Sequence, residues 1–197
     1  MIDPLARPAP EAAPSLLGAV FRAGPVAIRL TEVEAYAGEG QDPGSHAHRG
    51  PTPRTRSMWG PPGTLYVYLS YGIHRCVNIV CGPVGSPSGV LLRAGEVVDG
   101  LEVARSRRPA SRGDVDLARG PGRLGTVLGV SLGDDGSSVS TPPFSLLFPT
   151  RPSDRILTGP RVGVSGHAGT DAYSWRFFLD DPTVSPYRPA TVRRRPR

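Results

Sequence analysis

The clearest alternation of polar and apolar positions lies in residues 26–36. Glu32, Glu34 and Tyr36 occupy every second position there, and small or apolar side chains stand between them. A period of two is typical of a β-strand, since successive side chains point to opposite faces of a sheet. The pattern therefore predicts a strand with two carboxylates and one aromatic ring on the same face.

A second alternating segment, residues 64–81, predicts a β-hairpin. Tyr66 and Tyr68 alternate with aliphatic residues on the first arm, and the second arm alternates again. Gly72 can supply the positive φ that a tight turn requires. This places Tyr71 at the tip of the hairpin and the other two tyrosines together on one face.

The rest of the chain predicts short elements separated by loops. Residues at helical spacing indicate helices, and short apolar runs indicate strands. The predicted helices cover residues 11–20, 96–107 and 119–128, and the predicted strands cover residues 89–94, 144–148, 161–164 and 175–179. The long loop of residues 38–62 is rich in His and Arg, and long loops inside a compact domain are often functional.

Length and composition favour one domain spanning residues 1–197. With 197 residues the chain can bury one substantial core, while 25 Gly and 23 Pro imply many turns. Residues 192–197 are expected to form a disordered basic tail. No apolar run approaches the roughly 18 residues of a membrane helix, and the start of the chain does not resemble a secretory signal. The expectation is a cytoplasmic protein, associated with the nucleoid if the source is bacterial.

The charge favours a polyanionic partner. The net charge is +6 and the isoelectric point is about 10.0. Every basic side chain is an Arg, because the sequence contains no Lys. Guanidinium groups bind phosphate bidentately, but a genomic preference for Arg would produce the same composition. Both explanations stay open.

The cysteines and histidines do not indicate a metal site. Cys76 and Cys81 lie on one predicted strand region and are expected to be buried, reduced thiols. The chain has four His and no Cys-x-x-Cys pair. We therefore expect no metal and no cofactor, since a carboxylate can activate water by itself.

Several polar residues of the predicted strands have both a structural and a chemical interpretation. Glu32 and Glu34 could face solvent, or one of them could stabilise a cationic transition state, as glycoside hydrolysis requires. Arg93 ends an apolar strand and is expected to pair with a carboxylate; pairing with Glu34 would place it in the site. Asn78 lies in an apolar strand, where its amide is either satisfied in the core or reads the edge of a base.

Two further features suit a nucleic acid. An exposed Tyr71 at a hairpin tip is costly to leave in water, and such a ring could replace an extruded base in the DNA stack. The segment Arg119-Gly-Pro-Gly-Arg123 precedes a predicted helix, where backbone N–H groups and Arg side chains could bind a phosphate.

A series of motifs then occurs in a characteristic order. They are Glu32-Val-Glu-Ala-Tyr-Ala-Gly38, Ser45-His-Ala47, Thr52-Pro-Arg-Thr-Arg56, Gly63-Thr-Leu-Tyr-Val-Tyr-Leu-Ser-Tyr-Gly72, Cys76-Val-Asn78, Val90-Leu-Leu-Arg93, Gly120-Pro121 and Arg161-Val-Gly-Val164. In this order the motifs resemble the alkyladenine (3-methyladenine) DNA glycosylase family, also called methylpurine glycosylases. The resemblance covers roughly residues 15–188.

The resemblance implies a fold and an activity. The fold would be a single α+β domain with a curved antiparallel β-sheet, surrounding helices and a protruding hairpin that inserts into DNA. The activity would be excision of damaged purines of the 3-methyladenine, 7-methylguanine, hypoxanthine and ethenoadenine class in base-excision repair. The partner would be double-stranded DNA that contains such bases. No membrane is implied, and a monomer is expected.

The resemblance also implies residue roles. Glu34 would activate the attacking water, which Arg93 and the carbonyl of Val162 would hold. The flipped base would be contacted by Tyr36, His46 and Tyr68, with Asn78 screening against unmodified purines. Tyr71 would intercalate into DNA, and the other expected DNA contacts are Ile73, Arg54 and Arg123.

The missing Lys bears on the reaction. Glycosylases that also cut the strand attack the sugar with an amine and form a Schiff base. Since only the N-terminal amine is available here, a monofunctional enzyme that leaves an intact abasic site is expected.

Two other functions compete with this interpretation. A non-catalytic nucleic-acid-binding module would explain the charge and the aromatic residues but would leave Glu34 and Arg93 without a role. A small-molecule nucleoside or sugar hydrolase would explain the carboxylates but not the exposed Tyr71 or the excess of Arg.

Overall fold

The structure, a computed structural model, describes residues 3–153 and 155–190. Within these residues, eight strands form one sheet in which the paired strands run antiparallel. The strands are β1 (Val20–Ala23), β2 (Val26–Tyr36), β3 (Leu65–Ser70), β4 (His74–Val80), β5 (Gly89–Asp99), β6 (Phe144–Leu147), β7 (Leu157–Gly159) and β8 (Arg176–Phe178). The predicted tail at residues 192–197 lies outside the described residues.

Four short α-helices accompany the sheet, which confirms the predicted α+β class. They are α1 (Ala9–Ala12), α2 (Leu101–Arg107), α3 (Asp114–Leu117) and α4 (Pro121–Leu128). In the part of the chain that is described, none of the helices is long and apolar enough to cross a bilayer.

Strand β2, which carries the predicted polar face, lies at the centre of the sheet. The strand order is β3-β4-β5-β2-β1-β6, and β8 also pairs with β2 alongside Glu32 and Glu34. Pairing on both edges satisfies the backbone of β2, and the side chains of residues 30–35, which point to the two faces of the sheet, are fully buried. Register shifts against β5 on both sides of Glu32 mark a bulge, which bends a strand and redirects its side chains. The two carboxylates are therefore interior groups.

Strands β3 and β4 form the predicted hairpin. The aliphatic residues of β3 enter the main core, while Tyr66 and Tyr68 pack in a separate cluster on the opposite face. At the turn, Tyr71 and Gly72 have φ values of 51° and 73°. Two successive left-handed residues are typical of a type I′ hairpin turn, and this conformation is uncommon for a tyrosine.

Helix α4 packs against β4 so closely that it requires glycine. A Cβ atom on Gly125 would lie 2.0 Å from the carbonyl oxygen of Arg75, and one on Gly122 would lie 2.8 Å from the His74 ring. Pro121 occupies the first turn, where its missing N–H has no cost. The helix predicted at residues 119–128 is confirmed with a later start, at Pro121, and it lies in direct contact with the second arm of the hairpin.

Two other predicted helices have different bounds. Residues 96–99 continue β5, and the helix begins only after Gly100, which has a φ of 72°. In the segment 11–20 the helical turns end at Leu16, and Val20 already begins β1. The end of β5 pairs with β2, which is distant in the sequence, and β1 pairs with the adjacent β2 and with the distant β6. This pairing outweighs the local helical spacing.

The strand predicted at residues 161–164 is wrong. The segment forms a turn in which Gly163 has a φ of 72°, and β7 lies just before it. The apolar pattern arises because Val162 and Val164 line a cavity, while Arg161 is fully buried.

Candidate active site

A cavity of about 540 Å³ opens beside the polar face of β2. Its size lies within the range of pockets that hold a small organic ligand, roughly 300–1,000 Å³. Among the residues predicted for the site, those that line it are Tyr36, His46, Tyr68, Tyr71, Asn78, Arg93 and Val162. The fold thus brings together residues from β2, the long loop, the hairpin, β5 and the segment after β7.

Glu34 lies directly behind this wall. Its side chain has no exposed surface, yet its three hydrogen-bond donors all line the cavity. The backbone N–H of Val162 donates to Oε1 at 2.6 Å, the hydroxyl of Tyr36 donates to Oε2 at 2.9 Å, and Nη1 of Arg93 donates to the same oxygen at 3.2 Å. Since Oε1 accepts only one of these bonds, it keeps a free acceptor position.

Arg93 joins the two carboxylates of β2. Its Nε donates to Oε1 of Glu32 at 2.8 Å, and its Nη2 donates to the hydroxyl of Ser185 at 3.3 Å. Burial acts to lower the pKa of Arg93, but Glu34 and Glu32 outweigh it and hold this pKa above its usual value. The guanidinium therefore stays charged and cannot serve as a proton donor in the reaction.

Glu32 is held on the side away from the cavity. It accepts from Arg93, from Nε of Arg176 at 2.7 Å and from the N–H of Ser185 at 2.7 Å. Burial acts to raise its pKa, but the two arginines outweigh it and hold the pKa below the usual value. With all of these partners, Glu32 acts as an anchor for Arg93, and it is a poor candidate for an alternative general base.

Aromatic rings form one side of the cavity. Tyr66 and Tyr68 stack with centroids 5.3 Å apart, and the His46 ring meets Tyr68 edge-on at 4.7 Å. Nδ1 of His46 lies 3.0 Å from the Tyr66 hydroxyl. Partial burial, together with Arg54, lowers the pKa of His46, so the imidazole is neutral at pH 7. A neutral ring beside stacked tyrosines offers a flat surface and a hydrogen bond to a planar ligand.

Two polar groups on the same side complete the pocket. Asn78 donates from Nδ2 to the carbonyl oxygen of Tyr66 at 3.0 Å, which fixes its amide in the wall. Burial and then Glu34 raise the pKa of Tyr36 well above its usual value, so its hydroxyl remains protonated and able to donate. Burial likewise raises the pKa of Cys76, which lines the cavity as a neutral thiol.

The hairpin tip is strongly exposed. Tyr71 is 92% exposed and Ile73 is 69% exposed, although both side chains are apolar in large part. The tip is supported from below, since the His74 ring lies against Gly122 of α4. An exposed aromatic group at the rim of a cavity is suited to insertion into a second molecule.

The two arginines predicted to contact DNA lie outside the cavity. The guanidinium of Arg54 stands 5.2 Å from the centroid of Tyr68. Arg123 lies on α4 and pairs with Asp116, so a phosphate would have to compete with that carboxylate. Within residues 3–153 and 155–190, no group of three or more His, Cys, Asp or Glu side chains could hold a metal ion.

Sequence reasoning missed two residues that support the site. Arg161 and Asp42 are both fully buried and form an ion pair behind Tyr36. Arg161 appeared in a predicted strand and in one of the family motifs but was given no role, and Asp42 lay in the long loop. An arginine within an apolar run was the available signal, as it was for Arg93.

Comparison with known proteins is consistent with this geometry. The family model described as methylpurine-DNA glycosylase matches residues 3–183. A protein of Leifsonia xyli is 54% identical over 187 residues, which cover 90% of this chain and 87% of that protein. A protein of Streptomyces avermitilis is 52% identical over 96% of this chain and 92% of its own length, and one of Nocardia farcinica is 53% identical over 95% and 89%. All three carry the name "Putative 3-methyladenine DNA glycosylase".

Proposed function

This chain belongs to the methylpurine-DNA glycosylase family, and on that premise we propose that it flips damaged purines out of duplex DNA and hydrolyses their N-glycosidic bond with water activated by Glu34. The observation that carries the proposal is the position of Glu34 directly behind a cavity lined by aromatic rings. The proposed substrates are 3-methyladenine, 7-methylguanine, hypoxanthine and ethenoadenine.

The proposed reaction uses one water and no covalent enzyme intermediate. The bond between C1′ and the purine nitrogen breaks, and its electron pair leaves with the base. The sugar passes through an oxocarbenium-like state, which an anionic Glu34 stabilises electrostatically. The water oxygen then bonds to C1′ while its proton passes to Glu34. The product is an abasic site in an uncut strand.

Arg93 and Val162 are proposed to orient this water with Glu34. Both already bind the carboxylate, at 3.2 Å and 2.6 Å, which supports this assignment. Tyr36, Tyr68 and His46 are proposed to hold the flipped base by stacking and hydrogen bonding. Asn78 is proposed to reject unmodified purines at the pocket wall.

The test of this function is a panel of duplexes, each with one damaged purine, incubated with the protein. We expect release of the free base, and strand cleavage only after alkali is added. A nucleic-acid-binding module would release no base. A nucleoside hydrolase would act on free nucleosides in preference to the duplex. Either result would contradict the proposal.

Tyr71→Ala is expected to weaken binding to lesion DNA by about 5- to 150-fold, because stacking of one base on an aromatic ring contributes about 1–3 kcal/mol. The ring is 92% exposed, so its loss leaves the folded state almost unchanged. The measurements are the affinity for a lesion-containing duplex and the thermal midpoint. Val84→Ala, which truncates another side chain that is 69% exposed, is the matched control. If Tyr71→Ala excises as fast as wild type at sub-saturating DNA, the result would contradict an intercalating role of Tyr71.

Borohydride trapping is expected to yield no covalent adduct between the protein and lesion DNA. A trapped adduct requires a Schiff base, and the chain contains no Lys to form one. The assay compares denaturing gels of trapped samples with those of a lyase that has a catalytic amine. A stable adduct formed by this protein would refute the monofunctional mechanism.

A further inference from the structure

A single buried ion pair connects three segments of the cavity wall. Arg161 is the largest fully buried side chain among the described residues, and Asp42 is equally buried. The pair is bidentate, with Nη1 2.6 Å from Oδ2 and Nη2 2.7 Å from Oδ1. The same two nitrogens also donate to the carbonyl oxygens of Ala35 and Ala168, each at 3.0 Å.

Stability alone is a weak reason for such a pair. Taking two charges out of water costs about as much as their attraction returns, and apolar residues of similar volume are often as stable. The chain nevertheless keeps this ion pair at a point where it contacts the wall of the site.

Arg161 fixes the ring that binds Glu34. Its guanidinium carbon stands 4.5 Å from the centroid of Tyr36, and the rings of Tyr173 and Trp175 lie near it at 5.5 Å and 5.4 Å. The planar cation thus backs the Tyr36 ring, whose hydroxyl donates to Glu34. The residue that follows Arg161 in the chain supplies the N–H that binds the other carboxylate oxygen.

Asp42 also binds the backbone of the loop that follows β2. Its Oδ2 accepts from the N–H of Ala37 at 3.2 Å, and its Oδ1 accepts from the N–H of Gly44 at 2.9 Å. Gly44 lines the cavity, and a Cβ on it would lie 2.8 Å from Nη2 of Arg161. No side chain at position 44 would fit beside the guanidinium without a shift of Arg161.

We propose that Arg161 and Asp42 are positioning residues that hold the Tyr36 ring and the Val162 amide against Glu34 before DNA arrives. The inference rests on the proposed function, because it assigns a role in orienting the same carboxylate. A site whose donors are already in place avoids reorganisation during the reaction, and a displacement of about 1 Å costs about 100-fold in rate.

The test is Asp42→Asn, which keeps the shape of the side chain but turns one acceptor oxygen into a donor that faces the guanidinium. We expect the single-turnover excision rate at saturating enzyme to fall about 10- to 100-fold. Affinity for a duplex that carries a stable abasic-site analogue should stay within about threefold of wild type, because the defect is in the chemical step. Arg161→Lys, which keeps the charge but not the planar fork, should show the same split and is the variant to use if Asp42→Asn does not fold.

The matched control is Phe21→Leu, which destabilises the main core at a buried position on β1 that does not line the cavity. Rates are compared at a temperature where all variants are folded. A fall in rate no larger than that of Phe21→Leu, or an equal loss of affinity and rate, would overturn the inference. Wild type is assayed first on the same lesion: if it releases no base, the proposed function has failed, and if it does, only the positioning role is in question.

Discussion

Glu34→Gln is expected to lose most of its excision activity while DNA binding is retained. The amide removes the negative charge that we propose stabilises the developing sugar cation, and it cannot take a proton from water. Loss of a general base typically costs 100- to 10,000-fold, so we expect a fall of about that size in the single-turnover rate. The measurements are release of free base from a hypoxanthine duplex and affinity for the same duplex.

The position of Glu34 sharpens this prediction. Three donors converge on the carboxylate, whereas an amide offers one acceptor oxygen and one NH₂ donor. At least one wall group would then face another donor, so a modest fall in thermal midpoint is expected together with the loss of activity. Glu102→Gln, on a side chain that is 83% exposed, is the control and should leave both quantities unchanged. A Glu34→Gln protein that excises at the wild-type rate would show that water is activated by another group.

Features that depend on near neighbours in the chain could be predicted from the sequence. The alternation in residues 26–36 identifies β2 and the shared face of Glu32, Glu34 and Tyr36, because strand periodicity is a local property. The hairpin and its exposed Tyr71 follow in the same way from alternation and a turn glycine. Helix α4 follows from its spacing and the proline at its start.

Features that depend on partners distant in the sequence could not be predicted from it. Strand β1 pairs with the distant β6 as well as with β2, and the end of β5 pairs with β2, which is far away in the sequence, so local helical spacing gave the wrong bounds for both. The pairing of Arg161 with Asp42 joins residues 119 positions apart, and that of Arg176 with Glu32 joins residues 144 positions apart. No periodicity encodes such a contact. Sequence reasoning therefore identified the residues that line the cavity better than those that hold them in place.

The contrast between the two carboxylates of β2 shows what these distant contacts do. Both lie on one face and both bind Arg93, so the alternation gives no reason to prefer either. Pairing with β8 and the segment after it surrounds Glu32 with Arg176 and Ser185, whereas Glu34 meets only groups that line the cavity. These contacts give Glu32 a structural role, and they leave Glu34 as the carboxylate that we propose takes part in the reaction.

Glu32→Gln is accordingly expected to act first on stability. Removing one partner of a buried ion pair typically costs about 3–5 kcal/mol, since the other partner keeps its charge without compensation. For a chain of this size that corresponds to a fall of about 6–20 °C in thermal midpoint at pH 7. Glu96→Gln is the matched control, because it breaks an ion pair with Arg29 in which the carboxylate side chain is 52% exposed. Exposed pairs contribute about 0–1 kcal/mol, so the control should lose little.

The pH dependence of the difference in thermal midpoint between wild type and Glu32→Gln separates an ionic role of Glu32 from a packing role. The arginines hold the pKa of Glu32 in the folded protein below its ordinary value of 4.5. The ionised group therefore stabilises the fold fully above that value, and this contribution is lost as the pH falls through the lower, folded-state pKa. We expect the gap in thermal midpoint between wild type and Glu32→Gln to be widest near neutral pH and to narrow below about pH 4.5. A gap that stays constant down to the acid limit would mean that shape, and not charge, is what Glu32 contributes. Arg93 binds both carboxylates, so it should be held less firmly beside Glu34 once its ion pair with Glu32 is lost. We therefore expect Glu32→Gln to slow excision even at temperatures where the variant is fully folded.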